Sequence, residues 1–183
     1  MVENNNSVLY TALADRTSLP SAKSILLSIA SNHHQHSGIL KVAGETSGSP
    51  KVRNSSEKEF AGVFGIAYDI YKEIIKSEEI PKEELSVLAE RLSVLENALA
   101  EKYLDIQSRV SRGQLNGVNQ PQEATLTNLR GVFARMMSDS VHHRGLLATI
   151  KTLAEANQQE KTLDTLVASC LVPESVGPVC QNP

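Results

Sequence analysis

Cysteine, aromatic residues and net charge are all scarce in this sequence of 183 residues, and each scarcity excludes a class of protein. The two cysteines, Cys170 and Cys180, lie near the C-terminus, so the body of the chain has neither a disulfide framework nor a thiolate metal site. Tryptophan is absent and aromatic residues make up only 4%, so the core must be aliphatic. The formal net charge of −3 offers no electrostatic reason to expect nucleic-acid binding.

Long apolar runs are also missing. No stretch approaches the roughly 20 apolar residues that a membrane-spanning helix needs, and the first residues lack the basic and apolar regions of a signal peptide. We therefore expect a cytoplasmic protein that does not enter a membrane. In a reducing cytosol we expect Cys170 and Cys180 to be plain apolar residues, with a disulfide between them as the alternative.

The apolar residues recur at helical spacing, and no segment alternates with a period of two. The pattern predicts helices over about 3–16, 20–43, 57–77, 81–110 and 124–156, separated by breaks and loops that contain Gly, Ser or Pro. The predicted fold class is therefore all-α, with an antiparallel bundle as the architecture. We divide the chain into a helical bundle over residues 1–157 and a C-terminal extension over residues 158–183.

All five histidines fall into two tight clusters, at positions 33, 34 and 36 and at positions 142 and 143. His33 and His36 fill a gap in the apolar stripe of the second helix. Because a buried charge is costly without a partner, ionisable residues on apolar stripes need hydrogen bonds, ion pairs or a metal. The others that share a face with apolar residues are Glu3, Glu96, Asp139, His142 and His143.

When the helices are paired as two hairpins, the residues on the two arms of each hairpin lie at similar distances from its turn. Each hairpin then offers one Glu from its first helix and, from its second, a pair of ionisable residues three positions apart. Each Glu also precedes a Tyr by seven residues, or two helical turns, so the Tyr shares its face. The first hairpin supplies Glu3, Tyr10, His33 and His36, and the second supplies Glu96, Tyr103, Asp139 and His142.

This pattern resembles the ferritin-like superfamily, and rubrerythrin-type proteins most closely. In that family a four-helix bundle holds two iron or manganese ions with one Glu from each of two helices and a Glu-x-x-His from each of the other two. The resemblance covers residues 3–45 and 81–156, and it places the helix at 57–77 in the crossover. It implies that Tyr10 and Tyr103 lie near the metals as candidate catalytic residues. The implied metal ligands are Glu3, His33, His36, Glu96, Asp139 and His142.

Two positions depart from the family pattern, because His33 and Asp139 stand where the family has glutamates. Neutral imidazole binds one metal and does not bridge two. Three outcomes are therefore open: two iron or manganese ions with a hydroxide or oxo bridge, a single zinc or iron ion, or no metal. The rubredoxin-type Cys-x-x-Cys module of rubrerythrins is absent, so a redox function would need an external electron-donor protein.

Two functions from different classes follow from the sequence. The first is a metal-binding oxidoreductase of peroxidase or ferroxidase type, and the second is a metal-free bundle that serves as a structural or interaction scaffold. A helical adaptor unrelated to ferritins is a third alternative. Within the metal site, His143 can exchange roles with His142. We expect a homodimer, because apolar stripes on five helices exceed what a four-helix core needs.

Overall fold

The computed structural model describes residues 2–46, 59–112 and 123–170. These residues form five α-helices, and the all-α fold class is confirmed. The helices are α1 (Val2–Arg16), α2 (Pro20–Thr46), α3 (Ala61–Ile74), α4 (Lys82–Ser111) and α5 (Glu123–Cys170).

Proline marks the start of two helices, as the first residue of one and as the residue before the other. Pro20 is the first residue of α2, where its missing N–H would have no partner in any case. Pro81 precedes α4 in an extended conformation, and Glu83 and Glu84 then place negative charge in the first turn, where the helix dipole favours it. The backbone N–H of Ile80 donates to the carbonyl oxygen of Arg16 at 2.9 Å, so the end of α1 is fixed beside the start of α4.

The helices pack in pairs, α1 against α2 and α4 against α5, while α3 lies against both α1 and α4. Side-chain contacts give the directions of these pairs. Ser86 bonds to Glu155 and Asn97 to Arg144, so residue numbers rise along α4 as they fall along α5, and the two helices are antiparallel. The helices α2 and α5 also contact each other, which brings the second helices of the two hairpins together.

The core between the helices is aliphatic, as the composition predicts. Among the described residues, the largest fully buried side chains include two aromatic ones, Tyr10 and Tyr103. Polar residues are nevertheless buried among the leucines and isoleucines, and most of them come from the stripes that the sequence marked. They are Glu3, Asn6, Thr17, His33, His36, Glu96, Ser140 and His143.

The last helix differs most from the prediction. It was expected to end near Ala156, but α5 continues to Cys170 because no Gly or Pro interrupts residues 157–170. The predicted boundary between the bundle and the extension therefore falls inside a helix. Cys180 lies outside the described residues, and with it both the expectation of plain apolar cysteines and the alternative of a disulfide. Among the described helices, none is long and apolar enough to cross a membrane.

Leu92→Ala is expected to lower the free energy of unfolding by about 2–5 kcal/mol, since it removes buried methylene groups and leaves a cavity. Leu92 is 0% exposed on α4, whereas Val94 on the same helix is 60% exposed. Val94→Ala should change the same quantity by less than about 0.5 kcal/mol. Chemical denaturation measures both, and equal losses would contradict this assignment of the core face.

Candidate metal centre

Four helices place polar side chains in the core, at positions set by helical spacing. Each of these residues falls three or four positions from an apolar core residue or from another member of the set, so it shares the buried face. Helix α1 contributes Glu3, Asn6 and Tyr10, α2 contributes His33 and His36, α4 contributes Glu96, and α5 contributes Ser140 and His143.

His33 lies between two glutamates at the middle of this cluster. Its Nδ1 is 2.6 Å from Glu3 Oε2, and its Nε2 is 2.9 Å from Glu96 Oε1. The three side chains are at most 1% exposed. The imidazole also stacks on the ring of Tyr10, with 5.3 Å between the ring centroids. Both ring nitrogens of His33 therefore face a carboxylate inside the core.

His36 joins the same cluster through Glu3. Its Nδ1 is 3.3 Å from Glu3 Oε2, and its Nε2 is 2.9 Å from Asp139 Oδ2. Asp139 is 24% exposed, and its carboxylate also lies 3.6 Å from the guanidinium of Arg135. The sequence predicted Asp139 as a metal ligand, but the structure places it behind His36. A carboxylate in that position typically orients a metal-binding histidine.

The structure corrects the choice between the two histidines of α5. His143 is 0% exposed, and its Nδ1 lies 3.3 Å from Glu96 Oε2, whereas His142 is exposed to solvent. The reason is the helical repeat. His143 is seven residues from both Met136 and Ile150, while His142 is rotated from that face by about 100°. The predicted ligand His142 therefore lies outside the cluster, and His143 takes its place.

The two tyrosines have different surroundings. The Tyr10 hydroxyl donates to Glu96 Oε1 at 2.7 Å, and burial together with the Glu96 charge raises the pKa of Tyr10, so the hydroxyl remains a donor. The Tyr103 ring packs against Phe60 and Phe133 at centroid distances of 6.0 and 6.2 Å. Its buried hydroxyl has no hydrogen-bond partner in the part of the chain that the structure describes. Tyr10 belongs to the cluster, and a catalytic role for either tyrosine stays a prediction.

Sequence reasoning missed two asparagines. Asn32 Nδ2 lies 3.2 Å from His143 Nε2 and so fixes the far side of that ring. Asn6 is fully buried, and neither of its amide atoms has a partner within the described residues; the same holds for Glu3 Oε1. The signal for Asn6 was its spacing, since it lies three residues after Glu3 and four before Tyr10. Proteins satisfy such buried atoms with other side chains, water or ions.

The charges in the cluster stabilise one another. Burial lowers the pKa of His33, but the charges of Glu96 and Glu3 and their hydrogen bonds raise it by more, to about 10. Burial raises the pKa of Glu96 and of Glu3, yet His33 and the neighbouring histidines lower both by more, so the net shifts are downward. Near neutral pH the two carboxylates are therefore ionised and available to a cation.

Two groups of side chains in the cluster could hold a metal ion. One is Glu3, His33 and His36, and the other is His33, Glu96 and His143; the ligand atoms within each group lie within 4.8 Å of one another. Each group combines two imidazoles with one carboxylate. That donor set suits first-row divalent metals, and in iron oxygenases it leaves coordination positions open for reactants.

Comparison with known proteins adds no family to this description. No protein-family model, curated protein or solved structure was found to match the chain. The candidate metal centre is therefore defined by the geometry of its side chains.

Metal-free protein is expected to be most stable between about pH 4.5 and about pH 6.5. The pKa of His33 rises from 6.5 to about 10 in the fold, so its contribution is complete below pH 6.5 and is lost as the pH rises through 10. The pKa values of Glu3 and Glu96 fall from 4.5, so their contributions are complete above that pH and are lost on acidification. Urea denaturation of chelator-treated protein across this range measures the curve.

The control for this pH dependence is His33→Gln. Between neutral and alkaline pH, the free energy of unfolding of this variant should fall much less than that of the wild-type protein. A free energy of unfolding that stays constant or rises from pH 7 to about pH 10 in the wild-type protein would contradict the assigned protonation of His33.

Proposed function

We propose that this chain is a ferritin-like four-helix protein that binds a first-row transition metal and uses it in metal oxidation or in the reduction of peroxide or oxygen. The observation that carries the proposal is the pair of buried groups, each with two histidines and one glutamate, that meet at His33. Iron or manganese is the proposed metal, with zinc as the alternative. The two antiparallel hairpins, with α3 between them in the sequence, are compatible with the ferritin-like arrangement.

Three features of the described residues fit a metal. Glu3 Oε1 is buried and has no partner among them, so a ligand atom is free at the centre. The imidazoles are held from behind, His36 by Asp139 and His143 by Asn32, as metal-binding histidines usually are. The carboxylates of Glu3 and Glu96 are kept ionised, which is the form that binds a metal.

A bound iron or manganese ion would supply the one-electron redox chemistry. The chain's own residues bind and orient around it. Glu3 and Glu96 provide negative charge, and Tyr10 fixes Glu96 with a hydrogen bond while its ring holds His33 by stacking. The surrounding leucines and isoleucines keep bulk water away from the cluster, which strengthens these electrostatic interactions. Electrons would come from a divalent iron or manganese ion as it is oxidised, or from a separate donor protein.

A second function is favoured by one specific observation. Both ring nitrogens of His33 and of His36 already contact carboxylates, so imidazolium ions can balance the buried negative charge without a metal. In that case the cluster would serve to select which helices pair, a known use of buried polar networks. The protein would then be a metal-free scaffold for other proteins.

An assay of iron oxidation distinguishes the metal-dependent redox function from the scaffold function. Anaerobic protein is loaded with Fe²⁺, exposed to oxygen or hydrogen peroxide, and followed by absorbance. The wild-type protein should oxidise Fe²⁺ or consume peroxide faster than Glu96→Gln does. The matched control is Glu101→Gln, since Glu101 is exposed on the same helix, where it accepts a hydrogen bond from Asn97. Equal rates in all three proteins would contradict the redox function, and a folded wild-type protein that binds no iron would favour the scaffold.

A further inference from the structure

The two ring nitrogens of His33 face two different sets of ligands. On one side, Nδ1 lies beside Glu3 Oε2, which His36 also contacts; we call Glu3 and His36 the Glu3 side. On the other, Nε2 lies beside Glu96 Oε1, and His143 contacts the other oxygen of that carboxylate; we call Glu96 and His143 the Glu96 side. His33 thus stands between the two sides and belongs to both groups of candidate ligands.

This geometry points to a dinuclear centre in which the imidazolate of His33 bridges two divalent metal ions, one on the Glu3 side and one on the Glu96 side. The inference rests on the proposed metal binding and specifies its form. Each ion would receive one carboxylate, one imidazole of its own and one nitrogen of the shared ring. Both ring protons of His33 would leave to solvent when the two ions bind, because metal ligands must be deprotonated.

Formal charge supports this arrangement. Two divalent ions carry four positive charges, whereas Glu3 and Glu96, the two carboxylates that contact His33, carry two negative ones. Asp139 adds a third behind His36, where it also lies 3.6 Å from the guanidinium of Arg135. A ring that has lost both protons carries one negative charge, so the imidazolate of His33 would offset part of the remaining positive charge between the two ions.

The contacts around the imidazoles of His33, His36 and His143 favour a bridge of fixed orientation. The ring of His33 is 1% exposed and stacks on Tyr10, with an interplanar angle of 12°. The outer nitrogen of His36 is held by Asp139, and that of His143 by Asn32. Rotation of the three imidazoles is therefore restricted. His33 presents one nitrogen to Glu3 and the other to Glu96, while the inner nitrogen of His36 faces Glu3 and that of His143 faces Glu96.

Cu²⁺ is a suitable probe, because two Cu²⁺ ions joined by an imidazolate couple their unpaired spins. The experiment uses the full chain with the exposed His34 and His142 changed to alanine, so that these two surface imidazoles cannot contribute to copper binding. Metal-stripped protein is titrated with Cu²⁺, bound copper is measured after dialysis, and electron paramagnetic resonance is recorded. We expect two ions per chain and a signal weaker than that of two isolated ions. His36→Ala and His143→Ala should each retain one ion with a full, uncoupled signal.

The outcomes separate this inference from the proposed function. No retained copper in folded protein would overturn both. One retained ion that depends on Glu96 or Glu3 would leave metal binding intact and overturn the bridge. Two ions with the full signal of isolated Cu²⁺ would overturn the bridge as well. His33→Ala should abolish the coupling; if that variant does not fold, the single-ion results for His36→Ala and His143→Ala decide the question.

Discussion

Glu96→Gln is expected to weaken metal binding by at least about 100-fold, the upper end of what changes to the outer partners of metal ligands cause. Glu96 is the only carboxylate of the group that it forms with His33 and His143. The amide keeps the shape of the side chain but removes its negative charge. A competition titration of Zn²⁺ against a chromophoric chelator measures the change in affinity.

The same substitution should destabilise the metal-free protein. Glu96 is 0% exposed and accepts hydrogen bonds from Tyr10, His33 and His143. Removing one partner of a buried ion pair typically costs about 3–5 kcal/mol, because the other charge stays buried. Glu101→Gln, on an exposed position of the same helix, should alter neither affinity nor stability. Equal affinities for the Glu96 and Glu101 variants would contradict a metal site at Glu96.

His143→Ala and His142→Ala form the second pair with a large expected difference. Loss of His143 removes a ligand on the Glu96 side and leaves Asn32 without its ring partner, so bound metal on that side should be lost. Loss of the exposed His142 should leave metal binding unchanged and shift the free energy of unfolding by no more than about 0.5 kcal/mol.

Metal content after dialysis and thermal unfolding compare these neighbouring substitutions under the same conditions. If His142→Ala lost metal while His143→Ala retained the full wild-type metal content, the inward face of α5 would be assigned wrongly.

Much of the centre could be predicted from local spacing. Glu3, Tyr10, His33, His36 and Glu96 each lie on an apolar stripe, and a helix turns every member of such a stripe to the same side. The structure places all five in the buried cluster. Their mutual approach also follows from antiparallel hairpins, because residues at equal distance from a turn meet across it.

The predictions for His142 and Asp139 differ from the structure because they followed a family motif and not the helical repeat of α5. The family pattern requires a histidine three residues after the acidic position, which selected His142 after Asp139. The repeat from Met136 through Leu147 instead selects Ser140 and His143, and the structure follows the repeat. Asp139 lies one residue off that line, which explains why it contacts the outer side of His36 rather than the centre.

Other features depend on tertiary structure. Asn32 is off the stripe of α2 and acquires its contact with His143 only when α5 packs against that helix. The sequence also gave no reason to expect that both nitrogens of His33 would face carboxylates from different helices, because this depends on the packing of α1 and α4 around α2.

Elemental analysis of protein purified from cells without a histidine tag and without added metal tests the central claim most directly. The wild-type chain is compared with a Glu96→Ala/His143→Ala double variant, and circular dichroism confirms that both are folded. We predict about two equivalents of iron, manganese or zinc per wild-type chain, one for each group of candidate ligands, and a clear loss in the variant. A folded wild-type protein that carries no metal would contradict the metal centre and leave the scaffold as its function.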